Sequence, residues 1–458
     1  MNCYIRTDMT KPMVDKILKF ADESDMLPDA GLVLACVSGG ADSMCLLEIL
    51  LEISQSRGFS VAAAHYNHRL RGDESDSDEA FVRAICEARS VPFFCSGGDV
   101  RAYALKNGLS LEEAARDMRY GFFYEAAARA GAARIATAHT ADDNAETVII
   151  NLTRGAGAQG LSGIPPKRDK LIRPMLRISR DEVMGFILER GVAFCEDSTN
   201  SLDIFTRNKI RLAVMPVLKE INPRLNEAAS ALTELLRADE EYLSEVAGRY
   251  IEEHCADGAA DAKELLDLPP AVSGRVIRKL CGGGKLSRGH VKAVLELCRR
   301  GGPSACVSLP GITVCREYEN IVFGVPNKAL GFNPVYPLEG QTLMIENAGL
   351  KITCKTVMCD GTINKSFSSF LFKKLDICGK ISVRPRLEGD VIRFFGQNGA
   401  KTLKKLFIER KIPARKRTLI PVIADESGVL AVYGLGIGSR AVPSPGDIAI
   451  QIEFETAV

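Results

Sequence analysis

The chain lacks several features whose absence narrows its reading. It has no tryptophan and only five histidines. Its 14 cysteines include no Cys-x-x-Cys pair, and the nearest two are Cys354 and Cys359. Zinc ribbons, thioredoxin-like sites and most iron–sulfur sites use tighter pairs, so no structural metal is expected. Most of the thiols lie in apolar contexts such as LACVSG and RAICEA, and they read as buried, inert cysteines of a reducing compartment. No apolar run approaches the roughly 18–20 residues needed to span a bilayer. The opening stretch MNCYIRTDMTKPMVDKILKF is polar and periodic, with no secretory apolar region, so the expected location is cytoplasmic. Net charge is also nearly absent. The 59 Lys and Arg against 58 Asp and Glu leave +1, which excludes a protein basic throughout.

What is present is an ordinary globular composition, 46% hydrophobic and 26% charged over 458 residues. That length suggests two to four domains. Residues 1–218 alternate short β-rich runs (31–37, 61–66, 91–95, 133–139) with stretches of helical periodicity. Buried strands alternating with helices predict an α/β domain built on a doubly wound parallel sheet. Ligands of such sheets bind at the carboxyl ends of the strands. Residues 219–330 read as a mainly helical domain, and 331–458 as a small α+β domain with one basic helix near 400–411. The neutral total conceals segregation. Residues 219–267 carry 5 basic and 13 acidic residues, while 154–180 carry 7 and 1 and 401–417 carry 8 and 1. Two dense basic clusters on separate elements are the electrostatic footprint of a nucleic-acid partner.

The segment with the clearest chemistry is Ser38-Gly39-Gly40-Ala41-Asp42-Ser43, between the first strand and the helix SMCLLEILLEI. A strand–turn–helix with two glycines lets backbone N–H groups converge on an anion at the positive end of a helix. Without the lysine of a Walker loop, it suits a pyrophosphate leaving group. Asp42 is placed to hold Mg²⁺ or orient a nucleophile. Of the five histidines, His65 and His68 follow the second strand and His139 follows the fourth, which points to a shared site. In Ala138-His139-Thr140-Ala141-Asp142-Asp143-Asn144-Ala145-Glu146-Thr147, helical spacing puts Asp143, Glu146 and Thr147 on one flank. Paired carboxylates beside a phosphate loop are what a Mg²⁺ bridging phosphates requires; helix capping by Thr140 and Asp142 is the competing reading. Ser110 and Glu113 form a capping box, and Arg116, Arg119 and Tyr120 share a flank able to meet a phosphate or base. Gly155-Ala-Gly157-Ala-Gln-Gly160 fits a dinucleotide fingerprint but follows a helix, and Gly284-Lys285 lacks the rest of a phosphate-binding loop, so both are set aside.

The Ser38–Ser43 loop resembles that of the N-type ATP pyrophosphatases, the PP-loop superfamily. HYNHRLRGDESDSDEAFV, SLEEAARDMRYGFF, TAHTADDNAETVIINLTRGAGAQGLSGIP, EDSTN and RNKIR then occur in the order seen in tRNA(Ile)-lysidine synthetases. The stretch from RPRLEGDVIRFF to VLAVYGLG resembles that family's C-terminal domain. The matching segments cover roughly 31–211 and 380–440. The resemblance implies a ligase that uses ATP and Mg²⁺ on a tRNA(Ile) with a CAU anticodon. O2 of the wobble cytosine would attack the α-phosphate, and free L-lysine would then displace AMP to give lysidine. It implies Ser38, Gly39, Gly40, Ala41, Asp42, Ser43, His65, Arg154 and Gly155 at the nucleotide, Asp42 and Asp143 at the metal, and Asp42, His139 and Asp143 in catalysis. It further implies Arg116, Arg119, Glu146, Arg207, Arg211, Lys401, Lys404, Lys405, Arg415 and Arg417 at the RNA or substrate. Position 140 is Thr where the family often has a second His, and it is assigned no chemistry. A thiolase of the same superfamily would need a cysteine pair for a cluster or persulfide, and a non-catalytic nucleotide-binding module would not need the carboxylates and two basic clusters. The oligomeric state is left open, although the long helical middle segment is of a kind that carries homodimer interfaces.

Overall fold

The computed structural model describes residues 10–69, 72–195, 206–283, 286–324, 331–361 and 367–456. They form two compact units, Met1–Glu241 and Tyr242–Val458. The first begins with α1 (Thr10–Glu23), β1 (Ala30–Cys36), α2 (Ala41–Ser56), β2 (Gly58–Asn67), α3 (Asp73–Ala88) and β3 (Phe93–Gly97). It continues through α4 (Val100–Asn107), α5 (Leu111–Ala130), β4 (Arg134–Ala136), α6 (Ala141–Thr153), α7 (Ala158–Leu161), β5 (Lys167–Arg168) and β6 (Leu171–Ile172). Next come α8 (Arg180–Arg190), α9 (Thr206–Lys209), a π-helical turn (Ile210–Val214), α10 (Met215–Ile221) and α11 (Leu225–His254), within which the division falls.

The strands of the first unit lie in the order β3-β2-β1-β4-β6-β5. All neighbours are parallel except the edge pair β5–β6. This is the doubly wound parallel sheet that the strand–helix alternation predicts. After β3 the chain crosses back to the far side of β1, so the connections leaving β1 and β4 diverge and open a crevice at their carboxyl ends. Successive β1 side chains feed opposite cores, as the pleat requires. Val33 and Ala35 pack with Ile17, Leu46, Leu47, Leu50 and Phe186. Leu34 and Cys36 pack with Ile135 and with Phe122, Phe123 and Ala126 of α5. Each fully buried leucine or phenylalanine here contributes about 1.5–3 kcal/mol relative to exposure, and together they hold the strand ends rigid beneath the crevice.

The second unit holds β7 (Ala259–Asp261), α12 (Ala262–Asp267), α13 (Pro270–Leu280), α14 (Arg288–Arg300), β8 (Cys306–Leu309), β9 (Ile312–Glu317) and β10 (Asn320–Phe323). The sheet β7-β10-β9-β8 is covered by the three helices over Val276, Ile277, Val294 and Ile321. Beyond them lie β11 (Thr342–Ile345), β12 (Leu350–Met358), β13 (Ser369–Lys373), β14 (Ser382–Arg384), β15 (Val391–Ile392) and β16 (Lys401–Thr402). α15 (Leu403–Glu409), α16 (Ala414–Arg417), β17 (Val422–Asp425), β18 (Gly428–Val432), β19 (Gly436–Ile437) and β20 (Ile448–Thr456) complete the chain. The sheets β11-β12-β20-β13 and β14-β17-β18-β19 share a core of Ile352, Phe372, Val383, Leu430 and Ile452. The basic helix α15 buries Leu403, Leu406 and Phe407 and turns its lysines outward.

One expectation about the cysteines needs correcting. Cys306 and Cys315 form a disulfide rather than two inert thiols. They stand directly opposite each other where β8 pairs antiparallel with β9, so the tight turn at Pro310-Gly311 brings together two cysteines separated by 9 in sequence. Cys378 is moreover exposed. No helix among the described residues is long and apolar enough to cross a membrane.

Candidate active site

The loop between β1 and α2 sits at the crevice. Gly39 has φ +97°, a conformation that side chains resist, and Gly40 caps α2 with extended backbone. The Ser43 hydroxyl donates to the Gly40 carbonyl at 2.9 Å and accepts from the Ser38 amide at 3.1 Å. The Cys195 amide donates to the Gly39 carbonyl at 2.9 Å and fixes the loop from outside. The result is a turn with glycine backbone at the N-terminus of a 16-residue helix, a geometry suited to an anion. Beside it, buried His65 lies 2.9 Å through Nδ1 from the Val37 carbonyl. A carbonyl only accepts, so Nδ1 carries the proton, and burial lowers the ring's pKa and keeps it neutral.

Across the crevice, α6 begins with a capping box. The Thr140 amide and hydroxyl donate to Asp143 Oδ2 at 3.0 and 3.1 Å, and the Asp143 amide donates back to Thr140 Oγ1. The cap expected of Thr140 and Asp142 is thus made by Thr140 and Asp143, and it engages only one of the two Asp143 oxygens. The other, Oδ1, receives Arg180 Nη2 at 3.0 Å and faces Arg211 Nη2 at 3.4 Å and Arg207 Nη2 at 3.5 Å. Burial alone would raise its pKa, but the Arg180 and Arg207 guanidiniums overcome this and hold the carboxyl below its ordinary range.

One turn on, Glu146 is 1% exposed and gathers the same three arginines. Arg211 Nε donates to Oε1 at 2.7 Å, Arg207 Nε to Oε2 at 2.9 Å and Arg180 Nη1 to Oε1 at 3.3 Å. Arg211 lies in the π-helical turn Ile210–Val214, a local widening often found at functional sites. Asp142 takes Lys219 Nζ at 2.7 Å and the Arg180 amide at 2.9 Å.

Asp42 behaves differently. Burial pushes its carboxyl up to about 6, only partly offset by Arg180, and Asp143 raises it further. Among the described residues its one cation within 4 Å is Arg180, with Nε at 3.8 Å from Oδ2. Arg180 thus lies between Asp42 and Asp143. A desolvated carboxylate short of cations, with a second carboxylate across one guanidinium, is a hard-oxygen donor pair that fits Mg²⁺ when phosphate oxygens and water supply the remaining ligands. His139 donates to or accepts from Thr137 Oγ1 through Nδ1 at 3.0 Å. Burial, with Arg173, Arg207 and Arg116 nearby, drives its pKa well below the usual range against the pull of Asp143. It is therefore a neutral ring at physiological pH and a weak base.

Comparison with known proteins agrees with this geometry. A PP-loop domain model matches residues 9–218, a TilS substrate binding domain 261–322 and a TilS substrate C-terminal domain 381–454. The tRNA(Ile)-lysidine synthase of Geobacillus kaustophilus (strain HTA426) is 33% identical over 92% of this chain and 95% of its own length. That of Caldanaerobacter subterraneus subsp. tengcongensis is 31% identical over 93% and 94%. The chain belongs to the tRNA(Ile)-lysidine synthase family. A solved structure, the U34-tRNA thiolase NcsA from Methanococcus maripaludis, is similar at 18% identity over 51% of this chain and 82% of that one, with a TM-score of 0.44.

In this tRNA(Ile)-lysidine synthase family member, the structure brings together the Ser38–Ser43 loop, Asp42, His139, Asp143, Glu146, Arg207 and Arg211. Arg116 and Arg119 of α5 stack on Tyr120, at 4.8 and 5.8 Å from its ring centre. Arg154 and Gly155 are exposed at the opposite end of α6, about 16 Å from Asp143 at 1.5 Å per residue. Asp197–Asn200 and the Gly284-Lys285 segment lie outside the described residues. Two residues of the site were not singled out from the sequence, Arg180 and Lys219. Arg180 was visible only as one of the basic residues of 154–180. The Ser179-x-x-Glu182 capping box that starts α8 there was the available signal for its fixed position.

In the second unit the basic cluster is divided. Arg415 forms a two-point ion pair with Glu317, and Arg417 donates to the Ile412 carbonyl at 2.9 Å and to the Tyr318 hydroxyl at 3.0 Å. Lys401 is bound to Glu409 at 2.7 Å. Lys404 and Lys405 are exposed on α15. Accordingly, Lys404→Ala and Lys405→Ala should each weaken tRNA binding and lower its salt slope by about 1. Arg415→Ala should instead cost about 1 kcal/mol of stability and leave the salt slope nearly unchanged. Binding titrations across a salt series beside thermal melts measure both; a salt slope that drops only in Arg415→Ala would reverse the assignment.

Proposed function

We propose that the crevice between β1 and β4 adenylates the wobble cytosine of a tRNA(Ile) carrying CAU and then exchanges AMP for free L-lysine, acting as a carbon–nitrogen ligase in the cytoplasm. The observation that carries this reading is the pairing of an anion cradle, Ser38–Ser43, with the carboxylates Asp42 and Asp143 on either side of one guanidinium. O2 of the cytosine attacks the α-phosphorus of ATP, forming the O–P bond as the bond to pyrophosphate breaks. The Ser38 and Ser43 hydroxyls and the loop amides receive the leaving pyrophosphate at the N-terminus of α2. The ε-amine of lysine then attacks C2, the C2–O bond breaks, AMP departs and the amine loses its protons. The modified base pairs with A in place of G, so AUA is read instead of AUG.

Asp42 and Asp143 would hold Mg²⁺, which when bound neutralises phosphate charge. This chain's own groups do the rest. Arg180, Arg207 and Arg211, fixed on Glu146, set the position of Asp143, and His65 braces the end of β1 through Val37. His139 offers a neutral nitrogen beside the reacting groups. Catalysis in this arrangement is chiefly positioning and charge neutralisation. The matched ranges 9–218, 261–322 and 381–454 support domains of 1–218 for catalysis, 219–330 as a helical linker that binds tRNA, and 331–458 as a second tRNA-binding domain.

The test is purified protein with α-labelled ATP, a tRNA(Ile) transcript and lysine. The expected result is AMP and pyrophosphate release together with lysine incorporated at the wobble base. AMP transfer to the transcript without any lysine incorporation would reject the ligase reading.

A further inference from the structure

The carboxylate cluster is balanced, with Asp42, Asp142, Asp143 and Glu146 facing Arg180, Arg207, Arg211 and Lys219. The group of cations beside it is not. Arg116 and Arg119 stack on Tyr120, and the Arg173 side chain lies against the same tyrosine. Among the described residues, none of these three guanidiniums forms an ion pair with a carboxylate. Arg173 follows β6 directly, at the carboxyl end of the sheet, and is 2% exposed. Its amide donates to the Pro166 carbonyl at 2.9 Å and its Nη1 to the Pro165 carbonyl at 2.5 Å. Its side chain also hydrogen-bonds that of Tyr120, and its Nε has no hydrogen-bond partner. A buried guanidinium with no counter-ion and an idle N–H is costly to a fold unless something completes it.

We infer that Arg173, together with Arg119 and Arg116, receives a phosphate group of a substrate. The open Nε is a charge-assisted donor for one oxygen of an anion, beside the tyrosine on which Arg116 and Arg119 stack. Three guanidiniums against one tyrosine offer donors from separate directions, which suits the tetrahedrally spread oxygens of a phosphate. Arg116 is the exposed member and Arg173 the buried one, so the group is open on one side and closed on the other. The inference deepens the proposed function and takes its substrates from it. The phosphate is then a backbone phosphodiester of the RNA or the α-phosphate of the nucleotide.

The experiment measures equilibrium binding of a tRNA(Ile) transcript across a salt series, and of ATP by dialysis, for the full chain and for Arg173→Gln, Arg173→Lys and Arg116→Gln. One of the two affinities should fall about tenfold to a hundredfold in Arg173→Gln, with only partial recovery in Arg173→Lys, whose ammonium keeps the charge but lacks the Nε donor. A loss confined to tRNA, with the salt slope reduced by about 1, assigns the phosphate to RNA; a loss confined to ATP assigns it to the nucleotide. Arg116→Gln should show the same selectivity more weakly, and it carries the test if Arg173→Gln does not fold. Unchanged affinities for both ligands in a folded variant, or a change in lysine KM alone, would overturn the inference. Because these are binding measurements, they stand apart from the ligase assay. A wild-type protein that binds both ligands but incorporates no lysine defeats the proposed function and leaves the phosphate site standing.

Discussion

Asp42→Asn should abolish pyrophosphate release, by about 100-fold or more, while leaving tRNA affinity near that of the wild type. The same substitution should raise the melting temperature of the ligand-free protein at pH 8. Both effects follow from one fact, a carboxylate held in a desolvated position that its surroundings do not fully neutralise. Its pKa stands at about 6 against an ordinary 3.8, with burial the main cause. Between those values the folded protein retains a proton that the unfolded chain has released. Stability therefore falls as pH rises through that interval, and the full penalty is present above about 6. Asparagine has no charge to desolvate, so its gain should be a few degrees at pH 8 and should vanish near pH 4. For the wild type, the rate should decline as pH drops through about 6, where Asp42 is protonated. Melts at the two pH values and a phosphate-release assay measure these effects. A variant that melts lower at pH 8, or that still releases pyrophosphate at the wild-type rate, would remove Asp42 from the phosphate chemistry.

Glu146→Ala should be the most destabilising single change in the site. Three half-buried guanidiniums converge on a side chain that is 1% exposed, and removing it leaves three cations facing one another with only Asp143 between them. Breaking a buried ion pair from one side costs about 3–5 kcal/mol, which for a unit of this size lowers the melting temperature by about 10 °C. Glu146→Gln keeps the shape and two acceptor lone pairs, so its loss should be smaller. If Glu146→Ala melts within a degree or two of the wild type, the arginines are held by something else.

The parallel sheet and the phosphate loop were legible because both have short-range signatures. Strand–helix alternation and a Gly-Gly turn before a helix are written within a few residues of each other. The carboxylate pair Asp143 and Glu146 was legible through helical spacing. Arg180 was not, because its role comes from the start of α8 being placed between two carboxylates distant in sequence. Charge density likewise counts Arg415 and Arg417 as cations but does not show their partners Glu317 and Tyr318, about a hundred residues away in sequence. The Cys306–Cys315 pair escaped because only the hairpin register places those residues opposite each other.

Arg180 also constrains how the site fills. It occupies the place between Asp42 and Asp143, on a tether that never diffuses away. A divalent ion arriving there would be an exchange partner rather than an addition, and would meet a rival whose effective concentration is set by the fold. Nucleotide phosphates change that contest, because they supply new oxygens for the metal and a new anion toward which the guanidinium can turn. The crevice would thus be biased against free metal, and metal and triphosphate would enter most favourably as one complex.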